Sequence, residues 1–291
     1  MPQSCPLDAR GLLLHAPAKI NLNLLVAPRG RDGFHSIDSM VAKVTLYDRL
    51  ELRPRSDGRI VLACSGADCG PPEQNLVTRA AGLLAGGRDV CGVDIKLTKV
   101  IPPGAGLGGG SSDAAAALRG LNELWGLERG PADLAVMAAR LGSDVPLFLG
   151  PPAARLTGRG ECVERLEVGE FAAVIVMGPL ACSTVEVYRA CDRLGVGVSE
   201  QLDAGLLSAG GPSQWRGRLH NDLTEAAMHV CGGLSPLRSR IQTQSGVPVH
   251  MTGSGSAMFI LCDDETEARG VVSRLDSDLR DMCAIVGPNP W

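Results

Sequence analysis

The chain has 291 residues, 45% of them apolar and 21% charged, ample for a full hydrophobic core in two domains or one large one. A net charge of −4 with no lysine or arginine cluster argues against nucleic acid as a partner. No apolar run reaches the roughly 18 residues of a membrane span, and no basic flank precedes an apolar signal core, so a cytoplasmic protein without a membrane partner is expected.

Aromatic residues make up only 3% of the chain, so the core must rest on Leu, Val and Ala, and each aromatic stands out. The ten cysteines form no C-x-x-C pair and no zinc-type spacing with histidine. Most fall in apolar segments such as Ile260-Leu261-Cys262, where a free thiol in a reducing compartment acts as a small hydrophobe.

In chain order, residues 12–15 and 20–26 are predicted strands separated by Ala16-Pro17-Ala18-Lys19. A proline turn would set Lys19 at the mouth of the second strand, with Asn21 facing the same way, so both polar groups can enter one cleft. A solvated lysine is the plain alternative. The turn Arg29-Gly30-Arg31-Asp32-Gly33-Phe34-His35 ends in an exposed aromatic and a histidine, a pairing suited to ligand contact on a loop. Strands are expected over 39–52 and 59–65, then a helix over 75–85 capped by Asn75, then a strand over 93–100.

That strand leads into Pro103-Gly104-Ala105-Gly106-Leu107-Gly108-Gly109-Gly110-Ser111-Ser112-Asp113, followed by alanines and a leucine. Glycines let the backbone approach a ligand, and the Ser-Ser-Asp run reads as the cap of a helix. Glycine loop plus helix start makes a cradle for phosphate oxygens, because the first-turn N–H groups are unpaired and carry the positive end of the dipole. The string also fits G-x-G-x-x-G, but a dinucleotide fold requires a second strand ending in an acidic residue about 20 residues on, and residues 123–131 read as helix end and turn. A P-loop requires a lysine that is absent, since none follows Lys99. A bare flexible linker is the remaining alternative.

Residues 131–141 are a predicted helix opened by proline. Beyond it, Gly142-Ser143-Asp144-Val145 holds an aspartate between a glycine turn and an apolar run, as a helix cap or as a base. Residues 156–161 read as a turn and 171–177 as a buried strand. Helices are expected over 183–194, 221–231, 236–243 and 265–279, strands over 247–251, 257–262 and 282–286, and a largely loop segment over 199–215. The glycine turn Thr252-Gly253-Ser254-Gly255-Ser256 is either a plain hairpin or a second wall of a ligand site between two domains.

Pro-Ala-Lys-Ile-Asn at 17–21, the glycine loop at 103–112 and Thr-Gly-Ser-Gly-Ser at 252–256, in that order, resemble the GHMP small-molecule kinase superfamily. Within it, 17–24, 31–35, 141–146 and Asn221-Asp222-Leu223 resemble the branch that acts on a cytidine diphosphate conjugate of methylerythritol in the non-mevalonate route to isoprenoids, and the likeness spans nearly the whole chain. It implies an α+β fold of two parts: a nucleotide-binding domain over 1–165 with a left-handed βαβ crossover, and a ferredoxin-like domain over 166–291. The implied reaction is ATP-dependent phosphorylation of a methylerythritol hydroxyl, with Mg²⁺. By the resemblance, Asp144 takes or orients the hydroxyl proton and Lys19 neutralises charge on the aspartate and the transferring phosphoryl. The loop from Pro103 through Gly104, Ala105, Gly106, Leu107, Gly108, Gly109, Gly110 and Ser111 to Ser112 holds the triphosphate, with Asn75 near the nucleotide. Asn21, Phe34 and His35, with Gly253, Ser254 and Gly255, meet the substrate. Phe34 stands where that branch usually has tyrosine, and Ala105 where a further glycine is common, tolerated if its φ is negative. Neither the metal ligands nor the oligomeric state is implied. The alternatives are a homoserine- or mevalonate-type kinase of the superfamily, a non-catalytic sensor with the same fold, and, more distantly, a Rossmann oxidoreductase.

Overall fold

Apolar and polar residues alternate through the first fifth of the chain and become two long strands, β1 (Leu12–Val26) and β2 (Ile37–Arg55), which pair with each other. The computed structural model describes residues 11–195 and 204–290. The expected break at Ala16–Lys19 is absent: Pro17 lies inside β1, which pairs with only one strand, and an edge strand tolerates a missing N–H. Lys19 is therefore a mid-strand residue rather than one set by a turn. After β2 come β3 (Ile60–Gly66), α1 (Leu76–Ala85), β4 (Gly92–Lys99), α2 (Gly109–Leu124), α3 (Pro131–Leu141), α4 (Val145–Leu149), β5 (Ala153–Thr157) and β6 (Cys162–Arg165). The chain continues as β7 (Ala172–Val176), α5 (Thr184–Leu194), α6 (Ala204–Ala209), α7 (Pro212–Trp215), α8 (Thr224–Val230), α9 (Leu234–Ser245), β8 (His250–Met251), β9 (Met258–Cys262), α10 (Glu265–Arg274), α11 (Ser277–Arg280) and β10 (Cys283–Val286).

The chain divides into two units. The first comprises the described chain up to Ala18, Leu46–Pro103 and Gly108–Gly150. Here β4 pairs in parallel with β3, from Ile60 opposite Val93 to Gly66 opposite Lys99, and antiparallel with the second half of β2. The β3–β4 pair is joined through α1, a βαβ crossover whose apolar stripe of Val77, Ala80, Ala81 and Leu84 is buried. Helix α2 packs on α1, α3 and α4, and its run Ala114 to Leu118 is buried; with side chains this small, helices can approach closely.

The second unit comprises Lys19–Thr45, Gly104–Leu107 and the chain from Pro151 onward. The first half of β2 pairs antiparallel with β5, which forms a hairpin with β6. A separate antiparallel sheet has the order β10-β7-β9-β8, so its strands, numbered along the chain, lie as 4-1-3-2 with helices after the first and third. That is the β-α-β-β-α-β plan of a ferredoxin-like fold. Every residue of β7 and β9 is buried.

Several elements differ from their expected bounds. The helix expected over 265–279 is two, because Leu275 adopts an extended conformation between α10 and α11. The helix expected from 221 starts at Thr224, the side chains of Asn221 and Asp222 being committed elsewhere. The expected strand over 247–251 shrinks to β8, while α9 outruns its expected bounds at both ends. Within 199–215, residues 199–203 lie outside the described residues and the rest forms α6 and α7. Of the nine described cysteines only Cys182, Cys191 and Cys262 are buried; Cys64 and Cys162 are exposed, so apolar neighbours in sequence did not ensure burial.

Candidate active site

Helix α2 starts earlier than its serines suggested. Its cap is Gly108, at φ 73° with no side-chain cap, and Ser111 to Asp113 lie inside the helix. The Ser112 N–H donates to the Gly108 carbonyl at 2.9 Å. Left-handed glycines at 104, 106 and 108 alternate with Ala105 and Leu107, which are buried and have no positive φ. The inward side chains anchor the loop while the glycines present backbone. Ser112 Oγ and Asp113 Oδ1 are buried with no hydrogen-bond partner among the described residues. Asn75 caps α1, accepting from Val77 N–H at 2.9 Å and donating to the Cys69 carbonyl at 3.4 Å.

At the end of β4, beneath this helix start, Lys99 is buried between two carboxylates, Asp48 and Asp113, the latter at 2.7 Å. A β-carbon on Gly109 would lie 3.0 Å from Lys99 Nζ. The second Asp48 oxygen accepts from the N–H groups of Val100 at 2.6 Å and Ile101 at 2.9 Å, fixing the chain that enters the glycine loop. Burial pushes the Asp113 carboxyl up to about 7 despite the pull of Lys99. Burial also works against the ammonium, but Asp113 and Asp48 more than offset it and hold Lys99 above the usual lysine range. No local pattern discloses this cluster: Asp113 belongs to a Ser-Ser-Asp run that reads as a helix cap, and Asp48 falls within an expected strand.

Asp144 occupies the N-cap position of α4 but makes no side-chain cap hydrogen bond, and it is half-buried. Simple capping therefore does not account for its carboxylate.

In the second unit, Lys19 is 5% exposed and its Nζ donates to Asn21 Oδ1 at 2.5 Å. The Thr252 hydroxyl accepts from Asn21 N–H at 3.0 Å and lies 3.1 Å from Asn21 Oδ1 and 3.3 Å from the Gly106 carbonyl oxygen. Lys19 N–H donates to the Leu107 carbonyl and Ala257 N–H to the Ala105 carbonyl, both at 3.0 Å. The two glycine segments thus pack backbone to backbone beside the lysine. Both need glycine: a β-carbon on Gly106 would overlap the Thr252 carbonyl, and one on Gly253 would sit 3.0 Å from the Gly106 oxygen and 3.2 Å from Lys19 Nζ.

The turn is held from below by Asn221, which donates to the carbonyls of Met251 and Gly253 at 2.9 Å each. Asp222, buried, accepts from Val26 N–H at 2.8 Å and meets His220 Nε2 at 2.7 Å. Ser254 pairs with Thr184 through their hydroxyls at 2.8 Å. Ser254 is buried, while Gly253 is half-buried.

Among the described Phe, Tyr and Trp residues Phe34 alone is exposed, 54% accessible, with the Arg159 guanidinium 3.9 Å from its ring centroid. His35 is more enclosed than expected of a free ligand contact. Its Nδ1 meets the Ala27 carbonyl at 2.9 Å, its Nε2 lies 3.3 Å from Asp192, and its ring packs on Tyr188. Thr252 and Ser39 both hold Asn21, contacts that no motif in the sequence disclosed. Lysine usage offered a signal: only positions 19, 43, 96 and 99 among 28 basic residues are lysine, and three of the four are buried.

The model of the GHMP kinases N terminal domain matches residues 75–150. A 4-diphosphocytidyl-2-C-methyl-D-erythritol kinase of Pelotomaculum thermopropionicum is 40% identical over 264 residues, covering 89% of this chain and 92% of that protein. Its namesake from Bacillus subtilis is 34% identical over 94% of both. The chain belongs to the 4-diphosphocytidyl-2-C-methyl-D-erythritol kinases. It is therefore an ATP-dependent small-molecule kinase with the GHMP fold. A crystal structure of a 4-(cytidine 5'-diphospho)-2C-methyl-D-erythritol kinase agrees, with a TM-score of 0.78 at 33% identity, covering 96% of this chain and 100% of that one. A homoserine kinase from Cytophaga hutchinsonii, at a TM-score of 0.70 and 16% identity, shares the fold.

Proposed function

We infer that the protein transfers the γ-phosphoryl group of ATP to the 2-hydroxyl of the methylerythritol part of 4-diphosphocytidyl-2-C-methyl-D-erythritol, in the cytoplasm, on the non-mevalonate route to isoprenoid precursors. The observation that carries this reading is membership of a family whose relatives bear that substrate's name over about nine-tenths of the chain. Phosphoryl transfer asks for positioning and charge neutralisation rather than covalent help from the protein. Residues 103–112 would cradle the triphosphate on backbone N–H groups, with Asn75 near the nucleotide. Asp144 would take or orient the hydroxyl proton, and Lys19 would neutralise charge on the transferring group. Asn21, Phe34, His35 and the turn at Gly253, Ser254 and Gly255 would meet the substrate. In this reading His35 holds the shape of the hairpin and Phe34 offers the stacking surface. Residues 1–165 would form the nucleotide-binding domain and 166–291 the second domain.

Mg²⁺ belongs to the same proposal. Among the described residues no group of three or more His, Cys, Asp or Glu could hold an ion by itself, which suits an ion that arrives with the triphosphate. Ser112 Oγ, a hard oxygen left without a partner, fits such an ion or a phosphate oxygen. When bound, the ion neutralises charge on the β- and γ-oxygens.

The deciding experiment is a coupled assay of ADP release across the cytidylyl conjugate, free methylerythritol, homoserine and mevalonate. The conjugate should win by kcat/KM of at least about 100-fold; preference for homoserine or mevalonate, or no turnover at all, would overturn the reading.

A further inference from the structure

The Asn21 side chain is held in one orientation by three neighbours. Its oxygen faces the Lys19 ammonium, which has only hydrogens to give, so the amide cannot turn its NH₂ that way. Its nitrogen donates to Ser39 Oγ at 2.7 Å, and Ser39 passes its own hydrogen to the Asn23 carbonyl at 2.6 Å. Thr252, fully buried, accepts from the Asn21 backbone and directs its single hydrogen at Asn21 Oδ1 or the Gly106 carbonyl. Lys19, Asn21, Ser39 and Thr252 are all buried, so each hydrogen bond is made in a region of low dielectric where losing a partner is felt by the next.

We propose that Thr252 and Ser39 are positioning residues for the phosphoryl transfer, setting the Lys19 ammonium through the Asn21 amide and holding it in register with the glycine loop at Gly106. The proposal rests on the reading of Lys19 as the residue that neutralises the transferring phosphoryl. A long, flexible lysine reaches one point reliably only if something fixes its tip, and misplacement of such a group by about 1 Å can cost up to roughly 100-fold in rate. The arrangement draws on the Thr252 hydroxyl, so serine should serve in place of threonine and valine should not.

The test compares Thr252→Val, Thr252→Ser, Ser39→Ala, Lys19→Ala and the double variant Lys19→Ala/Thr252→Val, each by steady-state kinetics and thermal melting. Thr252→Val and Ser39→Ala should lower kcat by about 10- to 100-fold while the KM for ATP stays within about twofold. Thr252→Ser should stay within about threefold of wild type. The double variant should be no slower than Lys19→Ala, because the positioning effect has no object once the ammonium is gone. A purely structural role would lower the melting temperature, leave kcat per folded site unchanged, and make the double variant worse by an additive factor; that result overturns the proposal. If Thr252→Val does not fold, Ser39→Ala decides alone, and wild-type kcat in it overturns the proposal. Lys19→Ala with unimpaired kcat would defeat the reading of Lys19 itself, whereas a collapsed Lys19→Ala beside a normal Thr252→Val would defeat the positioning alone.

Discussion

Asp144 carries a carboxylate that its own helix does not use, next to a glycine turn and ahead of a proline-containing first turn. If it orients or deprotonates the hydroxyl, Asp144→Asn should leave ATP binding intact and lower kcat by about 10²- to 10⁴-fold, the usual span for loss of a general base. A variant within a few-fold of wild type removes it from the chemistry. Asp113 makes a second prediction at this scale. An unfolded aspartate titrates near 3.9, whereas Asp113 holds its proton to about 7. Between those values the folded chain binds a proton that the unfolded chain has lost. This group therefore subtracts stability as pH rises from about 4 to about 7, at up to ~1.4 kcal/mol per pH unit, and nothing further above. Asp113→Asn abolishes that titration. In urea unfolding at a series of pH values, the stability of the variant relative to wild type should climb from pH 4 to 7 and then level off; a constant difference would mean that Asp113 is ionised throughout.

In the proposed reading, nucleotide binding depends on the first turn of α2. Gly108 is left-handed, and a β-carbon on Gly109 would press on Ile101 and Lys99, so substitution at either disturbs the loop itself. Gly110 is different: it is exposed, helical, and a β-carbon there would meet only Leu76 at 3.9 Å. Gly110→Val should therefore fold normally while its branched side chain crowds the N–H groups meant for phosphate, weakening ATP at least about tenfold by calorimetry. Undiminished affinity would relegate the loop to a connector. The hairpin between β1 and β2 is the second such element. If Phe34 stacks on the cytosine as proposed, the contact would be worth ~1–3 kcal/mol, by analogy with bases on aromatic side chains. Phe34→Ala should raise the KM for the cytidylyl substrate about tenfold with little change for ATP, and Phe34→Tyr should restore it. A rise in the KM for ATP alone would place the ring on the nucleotide side.

For the molecule as a whole, a nucleotide that binds only the folded state raises its stability by RT ln(1 + [L]/Kd), about 2.7 kcal/mol at 100 times Kd. ATP should thus raise the melting temperature by several degrees and NAD should not. The reverse would revive the dinucleotide reading that the loop's G-x-G-x-x-G spelling permits.

Chain order and local chemistry alone determined a good deal. Pro131 and Gly142 bracket α3, Asn75 caps α1, and Ser183 caps α5, because caps and turns are decided within a few residues. The glycine loop was legible for the same reason, whereas the φ of Ala105, on which its tolerance there depended, came only with the structure. Only the tertiary structure decided the rest. Pro17 sits within a strand because β1 pairs on one side only, a fact about neighbours far away in sequence. Thr252 lies 231 residues from Asn21, and Lys99 is 51 from Asp48, so no window of sequence holds either set of partners. Local conformation is a short-range free energy that composition can set. A buried polar side chain must instead be matched by whichever distant groups the fold delivers, and that match exists only once the chain has packed.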